Sequence, residues 1–213
     1  MILAGGRRIL CSKGCRLRCG PERFGGRVKR AFDLVLGLVA LAFLWLPIIV
    51  VAALVRLTSP GPALYWSDRV GRNNRIFKMP KFRSMRTGTP AVATHLLKDP
   101  ASHLTPIGSF LRRTSLDELP QLWSILKGDM SFVGPRPALF NQQDLIDLRT
   151  QYGVHELTPG LTGWAQINGR DELPIPEKVA LDVEYLQRRS FWFDCLIIWR
   201  TAIKVVKRDG VSH

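Results

Sequence analysis

"LVLGLVALAFLWLPIIVVAALV", Leu34 to Val55, runs 22 residues without a charge. As a straight helix it would be about 33 Å long, against a bilayer hydrocarbon core of about 30 Å. It belongs in a membrane. A cleaved signal peptide is not expected, because the apolar run is too long and some thirty residues precede it. A spanning helix should gather Lys and Arg on its cytoplasmic side. Here both flanks are basic: Arg16, Arg18, Arg23, Arg27, Lys29 and Arg30 come before, and Arg56, Arg69, Arg72 and Arg75 come after. Pro47, which removes a backbone hydrogen bond and clashes with the preceding turn, offers a way for the segment to bend. The arm before it is about 20 Å long, too short to cross. The charge pattern favours a re-entrant hairpin that leaves by the face it entered, over a kinked spanning helix.

The chain has 213 residues with a formal net charge of +14, from 31 Lys and Arg against 17 Asp and Glu. That length suits one catalytic domain plus an extra element. The excess charge calls for a polyanionic partner: nucleic acid, anionic lipid or a phosphorylated substrate. Nucleic acid is set aside, because a binder of it has no need for an apolar membrane segment. Residues 1–26 read as a flexible basic tail. Cys11, Cys15 and Cys19 are spaced by three residues, without the usual zinc pattern, and read as reduced cytosolic thiols. Cys195 reads as membrane-facing or as core filler.

After the membrane segment, 27–57, "TSPGP" at 58–62 is a stop signal and "ALYW" begins a short strand. "DRVGRNNRIFKMPKFRSMR" (68–86) places an Asn-Asn turn between short segments and surrounds Phe77 and Phe82 with basic residues, which suggests a small hairpin. Residues 87–106 look like a flexible excursion. Helical spacing runs from Ser115 to Lys127 and closes at Gly128. A short amphipathic helix covers Leu139 to Tyr152, a Gly-rich loop covers 157–170, and another helix covers Pro174 to Arg189. "FWFDCLIIWRTAIKVVKR" carries Trp192 and Trp199 with a basic end, the pattern of a helix lying in the membrane interface, with a buried core helix as the alternative. The expected class is a helix-rich α+β fold. A re-entrant membrane helix and interfacial amphipathic helices accompany a small cytosolic catalytic domain, 58–213.

Asp117 and Glu118 stand out in so basic a chain. Ser115-x-x-Glu118 fits a capping box, with Asp117 favouring the helix dipole. Pro120, however, suits the first position of a helix, which would leave both acids just outside it. Near Arg112, Arg113 and Arg136, an acid pair also suits phosphoryl chemistry: carboxylates hold Mg²⁺ or attack phosphorus, and guanidinium groups neutralise the oxygens. Local residues leave capping and chemistry both open.

"KRAFDLVLGLVAL", "KFRSMR", "SLDELPQLWSILKGDMSFVGPRP", "PGLTGWAQINGR" and "LDVEYLQRRSFWFD", in this order over residues 29–211, resemble the bacterial sugar transferases that are monotopic phosphoglycosyl transferases. Such a set is far more specific than any single short motif. Only the first 26 or so residues lie outside it, and the resemblance is to the small form of the family. It implies that Asp117 attacks the sugar-linked phosphorus of a UDP-sugar, UMP leaves, and membrane polyprenol phosphate then takes the phosphosugar. The sugar expected from small members is an N-acetylated amino sugar. The resemblance also implies a supporting role for Glu118, Mg²⁺ at Asp117, and phosphate binding by Arg136 between its two prolines. Lys81, Arg83 and Arg170 are further candidates for diphosphate or nucleotide contacts, and Asp182 for organising them or the metal. The place implied is the cytoplasmic face of the bacterial inner membrane. Small members break the membrane helix at Ser-Pro, whereas this chain has Leu46-Pro47, so the bend lacks a hydroxyl to satisfy freed backbone groups. A glycosyltransferase that releases UDP and a non-catalytic basic membrane adaptor are the competing readings.

Overall fold

The computed structural model describes residues 26–90, 99, 101–169 and 173–207. The tail 1–25 and Arg170 lie outside the described residues. The fold is helix-rich α+β. α1 (Gly26–Thr58) is one helix with Pro47 inside it, and thus not two helices separated at the proline. Asp33, Gly37, Ala40, Leu44, Ile48, Val51 and Val55 form a stripe at three- and four-residue steps that faces the rest of the protein. Val35, Leu38, Phe43, Trp45, Leu46 and Ile49 point the other way and are exposed.

Packed on that stripe is an antiparallel hairpin of β1 (Leu64–Val70) and β2 (Ile76–Phe82), with Trp66 opposite Pro80 and Tyr65 opposite Lys81. Asn73 and Asn74, at φ 55° and 58°, make the turn; asparagine tolerates the left-handed region better than most residues. The helix expected from Ser115 to Lys127 is two pieces, preceded by a separate helix. α2 (Gly108–Thr114) ends where Ser115 turns left-handed at φ 56°, a 3-10 turn follows at Leu116–Glu118, and α3 (Gln121–Lys127) starts after Pro120. Met79 of β2 and Leu122 and Ile125 of α3 close a core cluster against α1.

The second half is built on a parallel pair, β3 (Ser131–Val133) with β4 (Gly160–Thr162). The Gly-rich stretch expected as a loop thus contains a strand, and it also contains α5 (Trp164–Asn168). α4 (Gln143–Gln151) starts four residues later than the sequence suggested, while α6 (Ile175–Arg188) and α7 (Phe191–Lys207) match their expected positions. α7 has two apolar faces: Phe193 and Ile197 are buried in the core, and Trp192, Leu196 and Trp199 are exposed.

Candidate active site

Asp117 and Glu118 sit on the 3-10 turn between α2 and α3. The expected capping box is absent: Ser115 makes no side-chain cap hydrogen bond and is itself left-handed. What the serine contributes is a change of chain direction, which leaves the acids on a separate turn that no longer belongs to α2. Asp117 is buried, at 8% exposure.

Two cations from elsewhere converge on Glu118. Lys81 of β2 donates to its Oε1 at 3.1 Å, and Arg136 donates to the same oxygen at 2.9 Å. Charge-assisted bonds of this kind are strong and directional. Burial pushes the Glu118 carboxyl up, but Arg136 and Lys81 prevail and hold it well below the usual carboxylate range. For Asp117 the balance goes the other way. Burial raises it and the neighbouring Glu118 charge adds to the rise, while Lys81, Arg112 and Arg136 oppose without cancelling it. The adjacent acids are therefore pushed apart, one held ionised and one lifted towards neutrality, as expected when a shared site treats two carboxylates differently.

Arg136 projects from a loop that two prolines strip of N–H donors, so the loop is held by its carbonyls. Gly160 N–H donates to the Pro135 carbonyl at 2.9 Å, and Arg149 Nη1 to the Arg136 carbonyl at 2.8 Å. Arg69 Nη1 donates to the Pro137 carbonyl at 3.2 Å, and Val70 N–H to the Ala138 carbonyl at 2.9 Å. Four successive carbonyls are tied to donors on β4, α4 and β1, which fixes the loop while Arg136 stays half-buried.

The other sequence candidates have different surroundings. Arg83 faces the end of α1, where its guanidinium donates to the Ser59 carbonyl at 2.9 Å, to Ser59 Oγ at 2.7 Å and to the Pro60 carbonyl. A cation there complements the helix C-terminus. Asp182 is held by Arg149, whose Nε and Nη2 both donate to Asp182 Oδ2 at 3.0 and 2.7 Å; burial raises the Asp182 carboxyl, with Arg149 opposing. It reaches the site through Arg149, a residue the sequence reading missed because on a short amphipathic helix it looks like a solvated polar position. Among the described residues no three His, Cys, Asp or Glu side chains gather as a metal cage. Mg²⁺, which keeps several waters and commonly takes one or two carboxylates plus substrate phosphates, fits Asp117 when a diphosphate supplies the remaining oxygens.

An acid pair, Asp117 buried and Glu118 partly so, faced by a lysine and arginines from separate elements is an arrangement that can meet the oxygens of a phosphorylated molecule. Residues 24–208 match the bacterial sugar transferase family, and the chain belongs to it. It is 41% identical over 186 residues to the UDP-glucose:undecaprenyl-phosphate glucose-1-phosphate transferase of Escherichia coli, covering 83% of this chain and 40% of that protein. It is 36% identical over 201 residues to the exopolysaccharide production protein ExoY of Sinorhizobium fredii, covering 87% of this chain and 88% of that one. A third relative is the UDP-N-acetylgalactosamine-undecaprenyl-phosphate N-acetylgalactosaminephosphotransferase of Aeromonas hydrophila, 34% identical over 195 residues, 89% of this chain and 46% of that protein. The chain thus spans less than half the length of the E. coli and Aeromonas relatives.

Proposed function

We propose that this protein transfers a sugar-1-phosphate from a UDP-sugar to polyprenol phosphate through a covalent aspartyl intermediate, releasing UMP. The observation that carries it is the position of Asp117, buried beside an ionised Glu118 and in the field of Lys81, Arg112 and Arg136. An Asp117 oxygen attacks the sugar-linked phosphorus, the P–O bond to UMP breaks, and UMP leaves with the electron pair. An oxygen of polyprenol phosphate then attacks the same phosphorus, and the Asp117 carboxylate is released. Lys81 and Arg136 offset the charge that develops on the non-bridging oxygens. Glu118 accepts both cations on one oxygen and so keeps them aimed at the dyad. Mg²⁺, held by Asp117 and diphosphate oxygens, would supply further charge neutralisation.

The membrane side of the proposal is that α1 stays on the cytoplasmic side, with its exposed apolar face in the cytoplasmic leaflet and neither end crossing. Its support is that both ends of α1 pack on one domain. Lys29 and Asp33 reach α7 and β3, while Val51 and Val55 pack with Phe82 and Leu111. A helix that crossed would carry one end about 30 Å away from that domain.

The test is to incubate purified enzyme in detergent with Mg²⁺ and a panel of UDP-sugars that includes glucose and N-acetylated amino sugars, the latter being the expected donors. UMP released up to about one equivalent without acceptor, together with a phosphosugar adduct in the intact mass, is the expected result. Asp117→Asn should abolish both. Release of UDP would favour a glycosyltransferase, and near-normal turnover by Asp117→Asn would remove the covalent step.

A further inference from the structure

We propose that Arg149 is a positioning residue of this transfer, acting through the backbone of Arg136 and itself held by Asp182; the inference rests on the reading of the dyad as the transfer site. Arg149, on α4, is 7% exposed, and Asp182, on α6, is 1% exposed. The guanidinium uses two edges at once. Nε and Nη2 lie on Asp182 Oδ2 at 3.0 and 2.7 Å, and Nη1 lies on the Arg136 carbonyl at 2.8 Å. Arg136 in turn donates from its side chain to Glu118 Oε1 at 2.9 Å. A continuous line of charge-assisted bonds thus runs from the interior of α6 to the dyad.

Chemistry explains why this position takes arginine. The Arg136 carbonyl belongs to a residue between two prolines that have no N–H, so neighbouring loop donors cannot fix it. A planar guanidinium donates in two fixed directions, whereas a lysine ammonium is a point charge on a flexible stem. Asp182 neutralises a guanidinium that would otherwise be buried and uncompensated, and sets its plane. Turning Arg149 would free the one loop carbonyl on the residue that carries the phosphate-directed side chain. Small displacements of such a group are expensive in rate, because the transition state demands alignment that the ground state does not.

The test compares Arg149→Lys, Arg136→Ala and the double variant with the wild-type enzyme in three measurements: thermal unfolding, equilibrium binding of UDP, and the rate of UMP release. Arg149→Lys should remain folded, bind UDP more weakly and release UMP about tenfold or more slowly. In the Arg136→Ala background the same change should alter rate and UDP binding by less than about twofold, since its effect travels through Arg136. Additive losses in the double variant would overturn the proposal, as would wild-type rate and UDP affinity in folded Arg149→Lys. Should Arg149→Lys fail to fold, Asp182→Asn, which keeps an acceptor oxygen for Arg149, carries the same comparison; failure of both to fold makes the pair a purely structural element and overturns the proposal. If the wild-type enzyme releases no UMP, the transfer reading falls by itself, and the positioning role is then decided by UDP binding: equal affinity in Arg149→Lys overturns it.

Discussion

Asp117 meets opposing influences, and their signs can be separated. Burial and Glu118 raise its carboxyl, while Lys81, Arg112 and Arg136 lower it. The arginines and lysine therefore do not hold Asp117 at an ordinary carboxylate value; its burial outweighs them. A nucleophile must be ionised, so UMP release should fall as pH drops through a value above the usual aspartate range. Glu118→Gln removes a negative neighbour and should move that limb to lower pH. Lys81→Met removes the strongest lowering partner and should move it to higher pH. Initial rates of UMP release across pH, with each variant's folded state checked by thermal unfolding, read both displacements; movement of both in one direction would mean that the limb does not report Asp117. At this scale the sequence was informative about the acids, Lys81 and Arg136, because residue types that carry chemistry stand out in apolar or cationic surroundings. Arg83 and Arg149 were harder to place. Which cation faces the dyad and which caps a helix depends on contacts between positions 18 to 37 residues apart.

At the scale of elements, strong periodicity was legible and short pieces were not. The hairpin, α6 and α7 follow from alternation, turn residues and helical spacing. The run from Ser115 to Lys127 also has helical spacing, yet it divides into a 3-10 turn at Leu116–Glu118 and α3 after Pro120, since apolar spacing does not record where a helix restarts. β3 and β4 are three residues each and pair across a long stretch of chain, so no local pattern announces them. Their pairing matters to the site because Gly134, the residue after β3, lies against the start of β4. A Cβ on Gly134 would fall 2.4 Å from the Thr158 carbonyl oxygen and 2.9 Å from Gly160 N, both of them backbone atoms. Gly134→Ala should therefore push the arginine loop off β4, costing about 1 to 3 kcal/mol of stability and slowing UMP release on the order of a hundredfold. A variant that unfolds earlier but turns over normally would show that the loop's position is not critical.

For the whole molecule, the proposal places one long apolar helix and one basic domain on the same membrane face. The exposed side of α1 and the exposed Trp192, Leu196 and Trp199 of α7 present apolar surface, while the N-terminal turns of α1 are tied to the domain by polar contacts. Lys29 Nζ lies 2.5 Å from Asp194 Oδ2 and donates to the Val133 carbonyl at 2.9 Å, and Tyr185 donates to Asp194 Oδ1 at 2.8 Å. Arg30 donates to the Ile125 and Leu126 carbonyls at 2.5 Å each, at the C-terminal end of α3, and Asp33 accepts from Ser131 Oγ at 3.0 Å and Phe132 N–H at 3.1 Å. The sequence showed only that Lys29 and Arg30 flank an apolar run; that they and Asp33 are fastening points needed the fold. These contacts require both ends of α1 to lie on one side, because Lys29 cannot reach Asp194 if a bilayer separates them. The chain's own cysteines report on this. In a Cys195→Ser background, Cys11, Cys15 and Cys19 should resist a membrane-impermeant maleimide in intact spheroplasts and react once the membrane is permeabilised, since basic flanks keep both ends of α1 inside. Lys29→Met should leave that labelling pattern unchanged, because the remaining cationic residues still set the orientation. It should nevertheless destabilise the purified protein by about 3 to 5 kcal/mol, since Asp194, at 1% exposure, would keep the Tyr185 hydroxyl but lose the cation paired with it. Labelling from outside in the wild-type protein would place the N-terminus across the membrane, and the Lys29–Asp194 pair and the proposed one-sided placement of α1 would fall together.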